Sequence, residues 1–254
     1  MRARKWLCAG YMATSTTAVV TSTRNASQSS CDYRDVFPDR SPIAVHKALL
    51  PLLQAKQIVE IGGRNGDDFC CYARVAMSAV LFERAGHYCN AVADRCARRF
   101  SGRSEEWKPL FQPGATISAP TGAWVVCSDY SKSTVVVDAD LYLFWAYPGL
   151  TFNLRVMRFL MANMNAGLIR RTAHAVLMAD LQLLDQRGNP DREDDLSRYM
   201  RHASWKADVP FDEQSACQSL DQCWRAKGRF RVVMVPLAAE GLNLSGTGGH
   251  RTHT

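Results

Sequence analysis

Short apolar runs alternate along this chain with longer stretches in which apolar residues return every three or four positions. The first kind fits strands buried on both faces, and the second fits helices with one buried stripe. Gln57-Ile-Val-Glu-Ile61 is such a run; it stops at Gly62-Gly63-Arg64-Asn65-Gly66, and Phe69 to Met77 then reads as a helix. Ala79-Val-Leu-Phe82, closed by Glu83, is the next strand. His87 to Phe100 is the next helix, with Tyr88, Val92, Cys96 and Phe100 on one side. A further helix precedes the first strand. Ser41 caps it, Pro42 takes its first position, and Ile43, Val45, Leu49, Leu50 and Leu53 form its apolar face, with Pro51 weakening the far end. Strands and helices alternating at this spacing predict βαβ units, hence a parallel sheet with helices on both faces.

The pattern blurs from Ser101 to Thr134, where Pro109, Pro113 and Pro120 interrupt it. Ala115 to Ser118 and Ala123 to Ser128 are both candidates for the third strand, and the pattern does not choose between them. It sharpens again at Asp140-Leu-Tyr-Leu-Phe-Trp145, an apolar run typical of a central strand, ended by Tyr147-Pro148-Gly149. Phe152 to Leu168 follows as a helix whose Leu154, Met157, Leu160, Met161 and Met164 form a core-facing stripe. Ala173 to Leu184 is a fifth strand, Asp191 to Ala203 a charged and exposed helix, Val209 to Phe211 a sixth strand and Arg229 to Leu237 the last. The expected class is α/β, a three-layer sandwich with a mostly parallel seven-stranded sheet. No internal repeat and no linker divides it. Residues 36–240 are therefore expected as one domain, between a leader over 1–35 and a disordered tail over 241–254.

Composition adds little, since 254 residues with 47% apolar and 22% charged positions describe an ordinary globular chain. Charge adds more. A net +7 suggests a phosphate-rich partner, yet Arg2, Arg4, Lys5 and Arg24 sit in a leading segment with no acid before Asp32. The remaining +3 over residues 32–254 is too diffuse to nominate nucleic acid. Arginines, many Ser and Thr and no acids make the leader resemble an organelle transit peptide or a plain disordered tail. The expected location is accordingly intracellular, in an organelle or the cytoplasm. No segment reaches the roughly 20 apolar residues of a membrane span. The 9 cysteines include no Cys-x-x-Cys pair and no His at zinc spacing, so no metal site is expected. Their odd number, with Cys70 and Cys71 adjacent inside a predicted helix, reads as reduced thiols serving as small buried apolar groups.

The segment Val59-Glu60-Ile61-Gly62-Gly63-Arg64-Asn65-Gly66-Asp67 resembles the first motif of class I S-adenosylmethionine-dependent methyltransferases. In that family an acidic residue ends the first strand, and a glycine turn lets the backbone approach the methionine part of the cofactor. Glu60, Gly62 and Gly66 match, with Gly63 between them. Arg64 stands where the family has its middle glycine, and its side chain either clamps the cofactor carboxylate or marks an altered site. Glu83 closes the second strand, where the family places a carboxylate that accepts both ribose hydroxyls. Dinucleotide-binding domains use the same acid, but their G-x-G-x-x-G turn would need glycines at 62, 64 and 67, and only Gly62 is there. Asp129, after Val125-Val-Cys-Ser128, is the candidate for the adenine contact. The run from Asp140 to Pro148 is similar to the family's fourth strand and exit loop, which implies that Trp145 and Tyr147 line the substrate side. Arg229 to Leu237 resembles its antiparallel last strand, so the resemblance spans Ser41 to Leu237.

The Asn/Asp-Pro-Pro-Tyr sequence of methyltransferases that act on nucleic-acid amino groups is absent. No triad or acid pair stands out, and transfer from an already activated sulfonium requires none. His46, His87, His174 and His202 are scattered; His174, at the head of the fifth strand, is the one least at odds with a role as base. The resemblance implies methyl transfer from S-adenosylmethionine to an unidentified acceptor, a small molecule given the lack of a nucleic-acid module. A methyltransferase-like fold that only binds, and an NAD-dependent oxidoreductase, are the alternatives. Oligomeric state cannot be read from the chain.

Overall fold

Residues 43–63, 66, 68–99, 116–118, 122–133, 135–145, 150–180, 199–210 and 229–242 are described by the structure, a computed structural model. The leader, most of the tail and most of the predicted helix Asp191–Ala203 lie outside them. Helix α1 (Ile43–Leu53) leads into β1 (Gln57–Ile61), α2 (Phe69–Val75), β2 (Ser78–Phe82) and α3 (Gly86–Arg99). Then come β3 (Thr116–Ser118), β4 (Gly122–Val126), β5 (Val136–Asp138), β6 (Leu141–Trp145), α4 (Leu150–Asn165), β7 (His174–Asp180), β8 (Trp205–Pro210) and β9 (Arg229–Pro236). Seven of the strands form one sheet in the order β4-β2-β1-β6-β7-β9-β8. Neighbours from β4 to β7 are parallel, and β9 runs antiparallel to both β7 and β8. The expected antiparallel last strand is present, one place in from the edge.

Of the two candidates for the third strand, Ala123 to Ser128 supplies it. β4 pairs with β2 from Ser78 opposite Gly122 to Phe82 opposite Val126. Thr116–Ser118 pairs instead with β5, a strand absent from the sequence reading, in a separate two-stranded ladder. The sixth strand covers Trp205–Pro210 rather than Val209 to Phe211. Lys206 and Asp208 are exposed, whereas Trp205, Ala207 and Val209 turn inward. That alternation belongs to an edge strand with one wet face, and it hid the strand from a search for unbroken apolar runs.

The two faces of the sheet divide the core. Val59, Ile61, Val80, Phe82, Tyr142 and Phe144 pack with Val156, Met157, Leu160 and Met164 of α4. Ile58, Ala79, Leu81, Leu141 and Leu143 pack with α1, α2 and α3 through Val45, Leu49, Leu53, Phe69, Tyr72 and Val92. Coverage on both sides is why the central strands carry apolar residues at nearly every position. The methionine stripe of α4 is core, as its spacing predicts.

The end of the sheet where β1 and β6 begin is closed by a charged clamp. Arg170, ahead of β7, donates from Nη1 to Asp140 Oδ1 at 2.7 Å. Its Nε reaches Asp138 Oδ1 at 3.1 Å, and its Nη2 reaches Gln57 Oε1 at 2.6 Å. The Gln57 N–H completes the ring by donating to Asp140 Oδ2 at 2.8 Å. The bond to Asp138 above all raises the Arg170 pKa, and the group stays charged. Replacing Arg170 by Met is expected to cost about 1–2 kcal/mol, tempered by partial exposure. Thermal melting should then fall by several degrees, and an unchanged melt would show that the clamp holds nothing.

The cysteines differ from expectation. Cys89, in the first turn of α3, forms a disulfide with Cys127, just past β4, their Cα atoms lying 5.7 Å apart. Cys70 and Cys71 are disulfide-bonded as well. The expectation of reduced thiols is therefore corrected for these four. Cys89 and Cys127 are 38 residues apart and meet only because β4 lies beside β2 while α3 crosses back over them. Among the described residues no helix is long and apolar enough to cross a membrane.

Candidate functional site

From β1 the chain moves outward to β2 and β4, then returns to the other side of β1 for β6 and β7. Where connections leave neighbouring parallel strands in opposite directions, a crevice opens at their carboxyl ends, and ligands of open α/β sheets bind there. In this chain it lies between β1 and β6. The pairing of Ile61 with both Phe82 and Phe144 sets Gly62 level with Glu83 on one flank and Trp145 on the other. The Arg170 clamp closes the opposite end of the sheet.

The turn after β1 needs its glycines. Gly62 has φ +78° and donates its N–H to Phe82 O at 2.8 Å. A Cβ on Gly63 would come within 2.6 Å of Leu81 Cδ1 and 2.8 Å of Glu60 Oε1. The buried Glu60 side chain is thus tucked beneath the turn. Gly66 has φ +74°, donates to Gly63 O at 2.9 Å and accepts from the Cys70 N–H at 3.1 Å, so it lies in the turn that leads into α2. Arg64 lies outside the described residues.

Glu83 is 5% exposed. Its N–H donates to Val126 O at 3.0 Å, and its Oε1 accepts from the Ala85 N–H at 2.9 Å, which fixes the carboxylate at the mouth of the crevice. Asp129 is half-buried at the same end. Its Oδ1 accepts from Ser131 N at 3.0 Å and Ser131 Oγ at 2.8 Å, capping the 3₁₀ turn Tyr130–Lys132. Tyr130 anchors that turn edge-on against Phe82 and Phe159, and burial drives its phenol pKa up. Glu60, Gly62, Gly63, Gly66, Glu83, Asp129 and Trp145 thus share one end of the sheet. His174 does not. It starts β7 beside the Arg170 clamp, and its N–H donates to Asp140 O at 2.9 Å. Tyr147 is outside the described residues.

Sequence reasoning missed the pair His46 and Asp68. His46 is fully buried, with Nε2 2.9 Å from Asp68 Oδ1. Asp68 Oδ2 lies 3.5 Å from Trp145 Nε1, and Trp145 stands edge-on to Phe230. Carboxylate and imidazole together can accept one proton close to the crevice. A signal was available, because His46 shares the buried face of α1 with Val45, Leu49 and Leu53. A histidine on an apolar stripe needs a polar partner. Among the described residues no group of His, Cys, Asp and Glu could hold a metal ion.

No protein-family model matches the chain, and no curated protein matches it. Several solved structures do. Magnesium protoporphyrin IX methyltransferase of Synechocystis PCC 6803, with bound SAH, superposes with a TM-score of 0.48 at 11% identity, over 80% of this chain and 85% of that one. The N-methyltransferase NodS of Bradyrhizobium japonicum WM9 gives 0.47 and 13%, over 76% and 94%. An rRNA methylase of Streptococcus thermophilus gives 0.45 and 11%, over 78% and 97%.

Proposed function

We propose that this protein binds S-adenosylmethionine across the carboxyl ends of β2, β1 and β6 and transfers its methyl group to a small-molecule acceptor. The observation that carries the reading is the fixed Glu83 carboxylate beside Gly62. A ribose diol presents two donors, and a carboxylate, with about four acceptor sites, is the side chain that can accept both. Gly62 and Gly63 carry no side chain that would keep the methionine part of the ligand away. The cofactor supplies an electrophilic methyl carbon. Trp145 offers an aromatic wall that attracts positive charge, and the Asp68–His46 pair can take the proton that an amine or hydroxyl acceptor gives up. The four disulfide-bonded cysteines favour an organelle with an oxidising interior over the cytosol, with residues 1–35 as its targeting leader.

Calorimetry with S-adenosylmethionine tests the binding step, and no heat at millimolar ligand would end the reading. Isotope-labelled cofactor incubated with cell extract tests the transfer step. Label is expected in the small-molecule fraction; label in RNA or protein would replace the acceptor class, and binding without any transfer would favour a scaffold role.

A further inference from the structure

We propose that the Cys89–Cys127 disulfide positions Glu83, so that cofactor affinity depends on the redox state of this pair. The inference rests on the reading of Glu83 as the ribose carboxylate. Glu83 opens a short connection between β2 and α3, and that connection is held in three ways. The Glu83 N–H donates to Val126 O at 3.0 Å, which ties it to the last residue of β4. The N–H groups of Tyr88 and Cys89 both donate to Ala85 O, at 3.0 and 3.1 Å, winding the first turn of α3 onto the residue whose own N–H holds Glu83 Oε1. Cys89 Sγ lies 3.4 Å from Glu83 O, and the same sulfur is bonded to Cys127, the residue after Val126. The disulfide therefore joins the exit of β4 to the first turn of α3 around Glu83.

Arg84, Gly86 and His87 are exposed, and around Gly86 there is open space within 4 Å of where a Cβ would stand. The Glu83 N–H to Val126 O bond and the disulfide tie this connection to two successive residues at the end of β4. Chemistry can reach the bond from one side. Cys127 is half-buried, whereas Cys89 is 2% exposed. A thiolate of a dithiol reductant attacks the Cys127 sulfur and Cys89 leaves as thiolate; the second thiol of the reductant then releases Cys127. The protein gains two electrons and two protons as a pair of cysteine thiols, and the reductant becomes a disulfide.

The test uses the full chain and S-adenosylhomocysteine as probe. Peptide mapping of protein purified without reductant should recover the Cys89–Cys127 link. Calorimetry of oxidised and reduced protein is expected to show affinity at least tenfold weaker after reduction, with unchanged far-ultraviolet circular dichroism. Binding measured across dithiol redox buffers should follow one midpoint potential. The Cys89→Ala/Cys127→Ala double variant should bind like the reduced form and ignore reductant. Equal affinity in both states, absence of the link, or unfolding on reduction overturns the proposal. So does a full reductant response in the double variant, which would assign the effect to cysteines other than this pair. Should the double variant not fold, the comparison of wild-type states decides alone. If oxidised protein fails to bind the probe at millimolar concentration, the reading of Glu83 fails and takes this inference with it, a result distinct from binding that ignores redox state.

Discussion

Glu83→Ala is expected to weaken S-adenosylhomocysteine binding about thirty- to a hundredfold while the protein stays folded. Loss of a carboxylate that accepts two ligand hydroxyls is worth about 2–3 kcal/mol. The substitution also frees the Ala85 N–H, so part of the loss could come from a slack connection after β2. Glu83→Gln separates the two effects. It keeps an acceptor for Ala85 and one for the ligand, and should retain most of the fold order with an intermediate affinity. Calorimetry on both variants, beside their melting curves, provides the check. An affinity within threefold of wild type for Glu83→Ala would remove Glu83 from the ribose site.

The second large effect is expected at Gly66. An alanine there must adopt φ +74°, which costs about 1–2 kcal/mol, and its Cβ would stand 2.8 Å from Val92 Cγ1 in the packed layer beneath α3. Forcing that layer apart adds about 1–3 kcal/mol. The total, about 2–5 kcal/mol, is a large part of the 5–15 kcal/mol that typically holds a domain together. Gly167→Ala is an internal control, because Gly167 has φ +75° with nothing within 4 Å of its Cβ position. It should lose the backbone part only. Denaturant midpoints of the two variants measure the difference, and equal losses would mean that the Val92 contact yields without cost.

The portion of the site made by β1, its turn and Glu83 was legible because its rules are local. A glycine that must take positive φ announces itself in sequence, and so does a carboxylate ending an apolar run. β4 was not legible in the same way. Thr116–Ser118 and Gly122–Val126 are both short, with Pro120 between them, and only pairing with β2 or with β5 distinguishes them. His46 and Asp68 meet because α1 packs against α2, and Cys89 meets Cys127 across the β2–α3–β4 crossover. Contacts of that kind depend on tertiary register, which no window of sequence contains. Trp205–Pro210 failed for another reason: a half-wet edge strand carries half the apolar signal of a central one.

The position of β9 has a consequence for synthesis. β7 and β8 do not touch as neighbours in the sheet; each is paired to β9, the strand nearest the C-terminus. A ribosome must therefore release residues up to Pro236 before β7 gains its second partner and β8 the one it has among the described residues. Until then the strand His174–Asp180, with Ala175 to Ala179 all buried in the finished protein, presents an apolar open edge. Chains cut short before Arg229 would keep the Glu83 side of the sheet and lose solubility instead, through pairing of that edge with other copies.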